Sequence, residues 1–261
     1  MENEIDIVFS SKFKDSTYSD DASAVPGRME AVMESVEKLS GFRIITPLPA
    51  ELSDIENVHT GDYIETVRKN GKLFDMALLS AGAAVSASES GMKGFPAIAI
   101  ARPPGHHASR SSAWGYCHFC NMAVALKRLK NQGRISSAFV LDFDAHTGDG
   151  TIDCLKDWKE VKILNPMAES SDEYLRRIDE YTGLLKNIDI VAVCTGFDSY
   201  LLDVGRKLST FDFYVIGRKM KQLADRLCKG RRFAVLEGGY YLPDLGKNVV
   251  SFCDGFKEGV F

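Results

Sequence analysis

The segment DFDAHTGDG at 142–150 places two carboxylates and an imidazole directly after a predicted buried strand. The apolar run 137–141 predicts that strand, and alternate residues of a strand face the same side. Asp142, Asp144 and His146 are therefore expected to point the same way where the strand passes into a loop. Because such a group is costly to desolvate unless a cation compensates its charge, the spacing predicts a metal site. A solvated polar turn is the alternative interpretation.

Reactive residues also stand at the ends of three other predicted strands. They are His106 and His107 after the strand 97–101, Asp198 after the strand 188–194, and Gly238, Gly239 and Tyr240 after the strand 232–236. Ligands of parallel α/β sheets bind outside the carboxyl ends of the strands, so all four segments are expected to meet at one edge. Taken singly, each has a simpler interpretation: a solvated histidine pair, an N-cap aspartate or a surface tyrosine.

Together these side chains describe the metal-assisted hydrolysis of an amide. Asp144, His146 and Asp198 would supply three metal ligands and leave a coordination position open for water, as catalytic metal sites require. His106 and His107 would act as a general base and as an electrostatic or acid partner.

Further residues at the same strand ends complete this hypothesis. Asp142 and Asp149 would orient the two imidazoles and tune their basicity. Tyr240 would donate a hydrogen bond to the oxyanion that develops on the substrate. The paired Gly238 and Gly239 before it permit a close approach of the backbone and a positive φ.

Apolar, β-branched runs alternate with helical patterns along the chain, which predicts an α/β domain around a largely parallel sheet covered on both faces. The predicted strands are 5–9, 97–101, 138–143, 161–164, 188–194 and 232–236. The predicted helices are 29–39, 77–89, 121–130, 172–185, 211–228 and 244–258. The sequence has no repeat period and no low-complexity tract.

Composition favours a single-domain globular protein of a reducing compartment. Its 261 residues are 45% hydrophobic and 26% charged, which predicts one domain over 1–261. The net charge of −4 creates no field that favours nucleic acid or an anionic membrane, and no apolar stretch reaches membrane-spanning length. The start of the sequence lacks a signal-peptide pattern, and the scattered cysteines indicate no disulfide scaffold. We therefore expect a cytoplasmic protein.

Five motifs, in this order, resemble those of the histone deacetylase and acetylpolyamine amidohydrolase superfamily. They are RPPGHHA at 102–108, GYCHFCNMAVA at 115–125, DFDAHTGDG at 142–150, GFDSYLLD at 196–203 and LEGGY at 236–240. Weaker matches are VHTGDY at 58–63 and PGR at 26–28. The resemblance spans 26–240, nearly the whole chain, and the ordered motifs make it specific.

The resemblance implies a three-layer arginase/deacetylase-like fold, with helices flanking a mostly parallel sheet of about eight strands, as one catalytic domain over 1–261. It implies one Zn²⁺, or Fe²⁺ as the alternative, bound by Asp144, His146 and Asp198, with metal-activated water as the nucleophile. The catalytic residues that it implies are His106 paired with Asp142, His107 paired with Asp149, and Tyr240, which polarises the acyl carbonyl.

The resemblance also implies subsites around the metal. The substrate-binding residues, which include the walls of a narrow channel, are Gly115, Tyr116, Gly238 and Gly239. Arg28 matches a basic residue beside an acetate-exit cavity. The residues of a candidate structural K⁺ site are Asp142, Asp144, His146 and Asn165, the last replacing the usual serine ligand.

The substrate that the resemblance implies is an acylated amine, most simply acetyl-lysine in a protein or peptide, which loses an acetyl or other acyl group. An acetylpolyamine deacetylase is the first alternative, although the glutamate of polyamine-specific relatives aligns with Gly205. More distant alternatives are an arginase-type ureohydrolase, which needs two Mn²⁺, and an inactive acyl-lysine-binding module. Thr147 and Cys120 depart from the family pattern. The sequence carries no signal for an oligomeric state.

Overall fold

Seven strands form the central sheet in residues 5–257, the part of the protein that the computed structural model describes. The strands are β1 (Ile5–Val8), β2 (Phe42–Ile45), β3 (Ala97–Ala99), β4 (Ala138–Asp142), β5 (Val161–Leu164), β6 (Val191–Thr195) and β7 (Arg232–Leu236). Their order across the sheet is β2-β1-β3-β7-β6-β4-β5, and every neighbouring pair runs parallel. Parallel neighbours need long crossover connections, which are mostly helical here.

Helices cover both faces of this sheet. They are α1 (Arg28–Val36), α2 (Leu52–Glu56), α3 (Gly61–Arg68), α4 (Gly71–Met92), α5 (Asn121–Asn131), α6 (Asp149–Leu155), α7 (Ser171–Gly183), α8 (Thr210–Cys228) and α9 (Leu242–Lys257). Helix α4 packs on β1, β3 and β7 and against α5, whereas α8 packs on β6 and β7 and against α9. The resulting three-layer α/β architecture confirms the predicted fold class.

The structure differs from the sequence prediction at one side of the sheet and in the short helices. Strand β2 was not predicted, because its half-exposed and exposed residues lack the continuous apolar run of a buried strand. The sheet therefore has seven strands within 5–257, close to the expected eight. Helices α2, α3 and α6 were missed because one or two turns carry little periodicity. Residue 258, the predicted end of the last helix, lies outside the described residues.

The strands at the centre of the sheet are buried over their whole length. Every residue of β3, β4, β6 and β7 is buried, as expected for apolar strands covered on both faces. These four strands are also neighbours, in the order β3-β7-β6-β4. Their carboxyl ends therefore present the four predicted reactive segments side by side along one edge of the sheet.

Helices α8 and α9 approach each other closely through glycine. A Cβ added at Gly255 would lie 2.0 Å from the carbonyl oxygen of Tyr214, and one added at Gly217 would lie 2.4 Å from that of Phe252. A closely packed interior cannot absorb contacts this short with backbone atoms. The spacing of the two helices therefore depends on glycine at both positions.

Replacement of Gly255 by alanine should destabilise the protein by about 1–3 kcal/mol, because the two helices must separate to admit the methyl group. The free energy of unfolding in urea measures this loss. Gly183→Ala is the control, since Gly183 ends α7 and nothing stands within 4 Å of an added Cβ. Alanine there should be neutral or stabilise by up to about 1 kcal/mol. Equal stability of G255A and wild type would contradict the tight contact.

Candidate metal centre and active site

Asp144, His146 and Asp198 converge at the carboxyl edge of the sheet. Asp144 and His146 lie in the loop after β4, and Asp198 lies in a 3₁₀ turn, Phe197–Ser199, after β6. One candidate ligand atom from each lies within 4.8 Å of the other two. Nδ1 of His146 is 3.1 Å from a carboxylate oxygen of Asp144 and 3.2 Å from one of Asp198. The structure thus brings together the three residues that the sequence suggested as metal ligands.

Backbone N–H groups hold the two carboxylates in place. Ala145 donates to Oδ1 of Asp198 at 3.0 Å, and Gly238 donates to Oδ2 of Asp144 at 3.0 Å. Oδ2 of Asp198 is buried and, beyond its ion-pair contact with His146, accepts no hydrogen bond within residues 5–257. A buried carboxylate oxygen without a donor is an atom that a bound cation would satisfy.

Glycines allow the neighbouring strand ends to come this close. A Cβ at Gly196 would lie 2.2 Å from Oδ2 of Asp144, and one at Gly238 would lie 2.6 Å from the same atom. Any larger residue would displace the carboxylate. The backbone can therefore approach the cluster only where these positions are glycine.

The two carboxylates dominate the electrostatics of this cluster. The close contacts of its Nδ1 with the carboxylates of Asp144 and Asp198 raise the pKa of His146 to about 10. Burial and the nearby Asp144 raise the pKa of Asp198 to about 6. Burial would also raise the pKa of Asp144, but the charge of His106 and several hydrogen bonds hold it below its usual range. Crowded carboxylates beside one imidazole form an oxygen and nitrogen donor set that suits Zn²⁺ or Fe²⁺.

Two histidine–aspartate pairs flank the cluster. Nδ1 of His106 lies 3.1 Å from Oδ2 of Asp142, and Nδ1 of His107 lies 2.7 Å from Oδ1 of Asp149. A carboxylate accepts from a protonated Nδ1, which leaves Nε2 of each ring for other partners. The two rings lie side by side, with centroids 3.9 Å apart. The partners are those that the resemblance implies.

The two pairs have different electrostatic surroundings. Burial lowers the pKa of His106, but the carboxylates of Asp144 and Asp142 outweigh it and raise the pKa well above its ordinary value. Burial and the neighbouring His106 lower the pKa of His107, and its bond to Asp149 offsets them only in part. His107 is therefore the imidazole that is neutral near pH 7 and able to accept a proton.

A cavity of about 590 Å³ opens onto the metal cluster and the histidine pair. Trp114, Gly115, Tyr116, Val204 and Tyr240 are among the residues that line it. The rings of Tyr116 and Tyr240 meet edge to face, with centroids 6.1 Å apart. Burial raises the pKa of Tyr240, so its phenol keeps the proton and can donate a hydrogen bond. The volume is typical of a small-molecule pocket.

Gly115 and Tyr116 form a turn against His107. Both have a positive φ, 58° and 67°, a conformation that favours glycine. A Cβ at Gly115 would lie 2.5 Å from Cδ2 of His107. A side chain at this position would therefore displace the imidazole.

Six predicted site residues do not line the cavity: Asp142, Asp149, Asp198, Gly239, Arg28 and Asn165. The first three belong to the metal cluster or pair with a histidine of the site, and Gly239 lies between two residues of the lining, whereas Arg28 and Asn165 hydrogen-bond to the surrounding backbone. Arg28 is fully buried and donates to the carbonyl oxygens of Gly239 at 3.0 Å and Glu237 at 2.7 Å. Asn165 follows β5, and its side-chain nitrogen donates to the carbonyl oxygen of Asp142 at 3.3 Å. Both contact the backbone that carries site residues, so they support the site from outside the cavity.

Two acidic residues inside the quoted motifs also support the site, although they were not predicted to do so. Oε2 of Glu237 accepts the backbone N–H groups of Gly105 and His106 at 2.7 and 3.1 Å. Oδ2 of Asp203 accepts the backbone N–H of Tyr240 at 2.6 Å. Each carboxylate fixes a turn that presents a catalytic candidate. Their only sequence signal was their place within the motifs.

Trp114 is a third site residue that was not predicted. Its indole contacts both His107 and Asp149, and it lines the cavity. The available signal was its position directly before the motif that begins at Gly115. That position alone indicates no chemistry.

The motif VHTGDY at 58–63 contributes His59, which stabilises the loop that forms one wall of the cavity. Nδ1 of His59 lies 2.9 Å from the carbonyl oxygen of Ser109, and its Nε2 accepts the backbone N–H of Cys120 at 3.0 Å. Burial lowers the pKa of His59 to about 4, so the ring is neutral and Nδ1–H is the donor. His59 therefore ties together the two ends of the segment 109–120.

The comparison with a protein family agrees with this geometry. The family model of the histone deacetylase domain matches residues 23–174, more than half of the 261 residues. The chain belongs to this family. Membership supports a hydrolase of the deacetylase and amidohydrolase type. The matched range ends before Asp198 and Tyr240, whose placement at the site rests on the structure.

Three relatives in the histone deacetylase family are similar over most of the chain. "Histone deacetylase 10, chloroplastic" of Oryza sativa subsp. japonica is 29% identical, over 85% of this chain and 66% of that protein. "Probable deacetylase" of Archaeoglobus fulgidus is 28% identical, over 88% and 78%. "Histone deacetylase-like amidohydrolase" of Pseudomonas aeruginosa is 25% identical, over 89% and 76%. The chain thus spans about two thirds to four fifths of these relatives.

Within the described range, none of the helices has both the length and the hydropathy of a membrane span.

His59 should make the folding stability depend on pH. Its pKa is lowered from 6.5 to about 4 by burial, so the unfolded chain takes up the proton first as the solution is acidified. The stabilisation is complete above about pH 6.5 and is lost as the pH falls toward and through about 4. When the pH falls from 7 to 4, the free energy of unfolding of His59→Gln should decrease by up to about 3 kcal/mol less than that of the wild type. Urea unfolding across this range measures the difference, and parallel curves for both proteins would contradict it.

Asp198→Asn should weaken the binding of a divalent cation by at least about 100-fold, because it removes a charged ligand. Loss of a residue that only hydrogen-bonds to a ligand already lowers metal affinity by about 10–100-fold. Elemental analysis after dialysis against Zn²⁺ should find about one ion per wild-type chain and far less in the variant. Asp75→Asn, at an exposed position in α4, is the control and should bind as the wild type does. Undiminished metal in D198N would remove Asp198 from the site.

Proposed function

We propose that the protein is a metal-dependent deacetylase that hydrolyses the amide of an acylated amine, most simply acetyl-lysine in a protein or peptide. The observation that carries this proposal is the meeting of three features in one cavity. These are the ligand cluster, two histidine–aspartate pairs and the half-buried Tyr240. Membership of the histone deacetylase family supports the same chemistry.

Asp144, His146 and Asp198 would hold one Zn²⁺, with Fe²⁺ as the alternative. When bound, the cation would polarise the acyl carbonyl and lower the pKa of the attacking water. The donor set suits such an ion, and Oδ2 of Asp198 lacks a hydrogen-bond donor within the described range.

His107 is the base in this proposal. Asp149 holds Nδ1 of His107, so Nε2 is left to take a proton from the attacking water. The same Nε2–H would then protonate the leaving amine. Asp144 and Asp142 raise the pKa of His106 despite its burial, and a protonated His106 would stabilise negative charge that develops on the substrate.

Tyr240 would donate its hydroxyl to the oxygen of the acyl group as negative charge develops there. Gly115 and Tyr116 would line the channel that admits the substrate chain. Gly238 and Gly239 would let the backbone pass close to the acyl group, since a Cβ at Gly238 would already crowd the ligand carboxylates.

Two subsites extend the proposal beyond the cavity. Arg28 would bind the released acetate, because its buried Nη1 has no partner among the described residues and guanidinium groups bind carboxylates strongly. A structural K⁺ would lie beside Asp142, Asp144 and His146. Asn165 already contacts the carbonyl group of Asp142, and rotation of its amide would offer an oxygen ligand.

The mouth of the cavity favours acyl-lysine over an acetylated polyamine. Asp144 is the only carboxylate among the described residues that line the cavity, and it belongs to the metal cluster. The backbone N–H of Gly205 donates to the carbonyl oxygen of Asp198 at 2.7 Å, which places Gly205 beside the site without a side chain. Neither the lining nor Gly205 therefore supplies a carboxylate, other than the proposed metal ligand, to select a second amine; an acetylpolyamine deacetylase is the alternative.

The more distant alternatives fit less well. An arginase-type ureohydrolase needs a second metal site rich in carboxylates. The other compact cluster within 5–257 consists of His106, Cys117 and Glu237, and its thiol is a poor ligand for Mn²⁺. An inactive acyl-lysine-binding module would not need the catalytic candidates His107 and Tyr240, which are both present.

The remaining parts of the proposal concern partners and location. The net charge of −4 supports a small acylated amine or a peptide as partner rather than nucleic acid or an anionic membrane. The six cysteines are free and buried, which supports a reducing compartment such as the cytoplasm.

Tyr240→Phe should lower kcat for a generic acetyl-lysine amide by about 100-fold or more, because one donor to the developing oxyanion is lost. The matched control is Tyr241→Phe, which changes the neighbouring tyrosine outside the cavity lining and should leave kcat within about twofold. The assay uses Zn²⁺-loaded protein near pH 7.

A small substrate panel completes this test. Acetyl-lysine peptide, longer acyl-lysine peptides, acetylputrescine, acetylspermidine and arginine would be compared by kcat/KM. Acyl-lysine should be the best class. Unchanged activity of Y240F would remove the tyrosine from the mechanism, and turnover of arginine alone with two Mn²⁺ per chain would overturn the deacetylase proposal.

A further inference from the structure

We propose that Trp114 is a positioning residue for the catalytic base, acting through Asp149 on His107. The inference rests on the proposed function, in which His107 accepts and returns the proton. It adds a residue that neither the sequence motifs nor the metal cluster indicated.

The indole of Trp114 contacts both members of the His107–Asp149 pair. Its Nε1–H donates to Oδ2 of Asp149 at 2.9 Å, while Nδ1 of His107 lies 2.7 Å from Oδ1 of the same carboxylate. The indole ring also lies over the imidazole, with centroids 3.7 Å apart and planes inclined by 31°. One side chain thus fixes the carboxylate and covers one face of the ring that the carboxylate orients.

A comparison of the two histidine–aspartate pairs shows why this second contact is needed. The Asp142 carboxylate is only 1% exposed, and its second oxygen accepts the backbone N–H of Asp144 at 3.2 Å. The Asp149 carboxylate is 50% exposed, so water competes for its oxygens and the side chain is freer to rotate. Trp114 supplies to Asp149 the second contact that the backbone supplies to Asp142.

Trp114 is 54% exposed, but the backbone that carries its indole is held in place. The carbonyl oxygen of Trp114 accepts the backbone N–H of Cys117 at 3.1 Å, and the turn between them has a positive φ at Gly115 and Tyr116. His59 ties the ends of the surrounding loop. A tryptophan has only two side-chain torsions, so it can fix a partner at low entropic cost.

The expected signature of this role is a loss in kcat rather than in binding. Trp114→Phe keeps an aromatic ring over His107 but removes the N–H donor to Asp149. We expect kcat for an acetyl-lysine amide to fall about tenfold, since a small misorientation of a reacting group slows proton transfer, while KM stays within about twofold.

A double-mutant cycle tests whether the effect passes through Asp149. The variants are W114F, D149N and the double variant, all as Zn²⁺-loaded protein. If Trp114 acts through the carboxylate, W114F should lower kcat by less than about twofold when Asp149 is already replaced. A tenfold loss in both backgrounds, a rise in KM at constant kcat, or no loss at all would overturn the proposal.

Trp158 provides the matched control. Its Nε1–H donates to the carbonyl oxygen of Ser136 at 2.9 Å, so Trp158→Phe also deletes an indole hydrogen bond, but away from the cavity. We expect W158F to keep kcat within about twofold. Thermal unfolding of each variant shows whether the fold is intact.

A spectroscopic measurement tests the contact without any assay of activity. The sequence has two tryptophans, so W158F leaves Trp114 as the only indole fluorophore. Asp149→Ala in that background should raise the acrylamide quenching constant of Trp114 about twofold, because the indole loses its anchor. An unchanged constant would overturn the contact on which the proposal depends.

The two measurements separate failure of this inference from failure of the proposed function. If the wild type hydrolyses no member of the acylated-amine panel, the deacetylase proposal is overturned whatever the quenching shows. If the wild type is active and W114F is equally active, the positioning role alone is overturned.

Discussion

The packing of two buried carboxylates against one imidazole is the constraint on which the rest of the site depends. Asp144 and Asp198 come from adjacent strand ends and meet His146 within ion-pair distance. Burial raises the pKa of Asp198, and the repulsion between like charges at such separation raises it further. Backbone N–H groups from Ala145 and Gly238 offset part of the charge. A bound cation would stabilise both carboxylates in their charged form.

The same negative charge makes the pKa values of the two histidines different. His106 lies against Asp142 and within 3.7 Å of Asp144, so it tends to keep a proton. His107 is paired with the half-exposed Asp149 and faces the positive His106, so it tends to lose one. The pKa values of two adjacent imidazoles with identical intrinsic chemistry are therefore shifted in opposite directions by their surroundings, as the separate roles proposed for them require.

Most of the residues that support the site never touch the cavity. Glu237 holds the turn that carries the histidines, Asp203 holds the turn of Tyr240, and His59 closes the loop that forms one wall. Catalytic groups on loops need this kind of anchoring, because the loop backbone has no sheet or helix to fix it. Each anchor joins segments that are distant in the sequence. The rigidity of the site consequently depends on the hydrogen bonds between loops as well as on the sheet beneath them.

The amino-acid sequence by itself determined most of the elements and the chemical types at their ends. Apolar runs identify β4, β6 and β7 because those strands are buried on both faces, whereas the half-exposed β2 gives no comparable signal. The residue types of Asp144, His146 and Asp198 suggest a metal site, because three donors at strand ends need a common partner. Only the tertiary structure decided the strand order β3-β7-β6-β4, the half-exposed position of Asp149 and the stacking of Trp114 on His107. Those features depend on distances between segments far apart in the chain, and hydrophobic periodicity and residue spacing report only on local conformation.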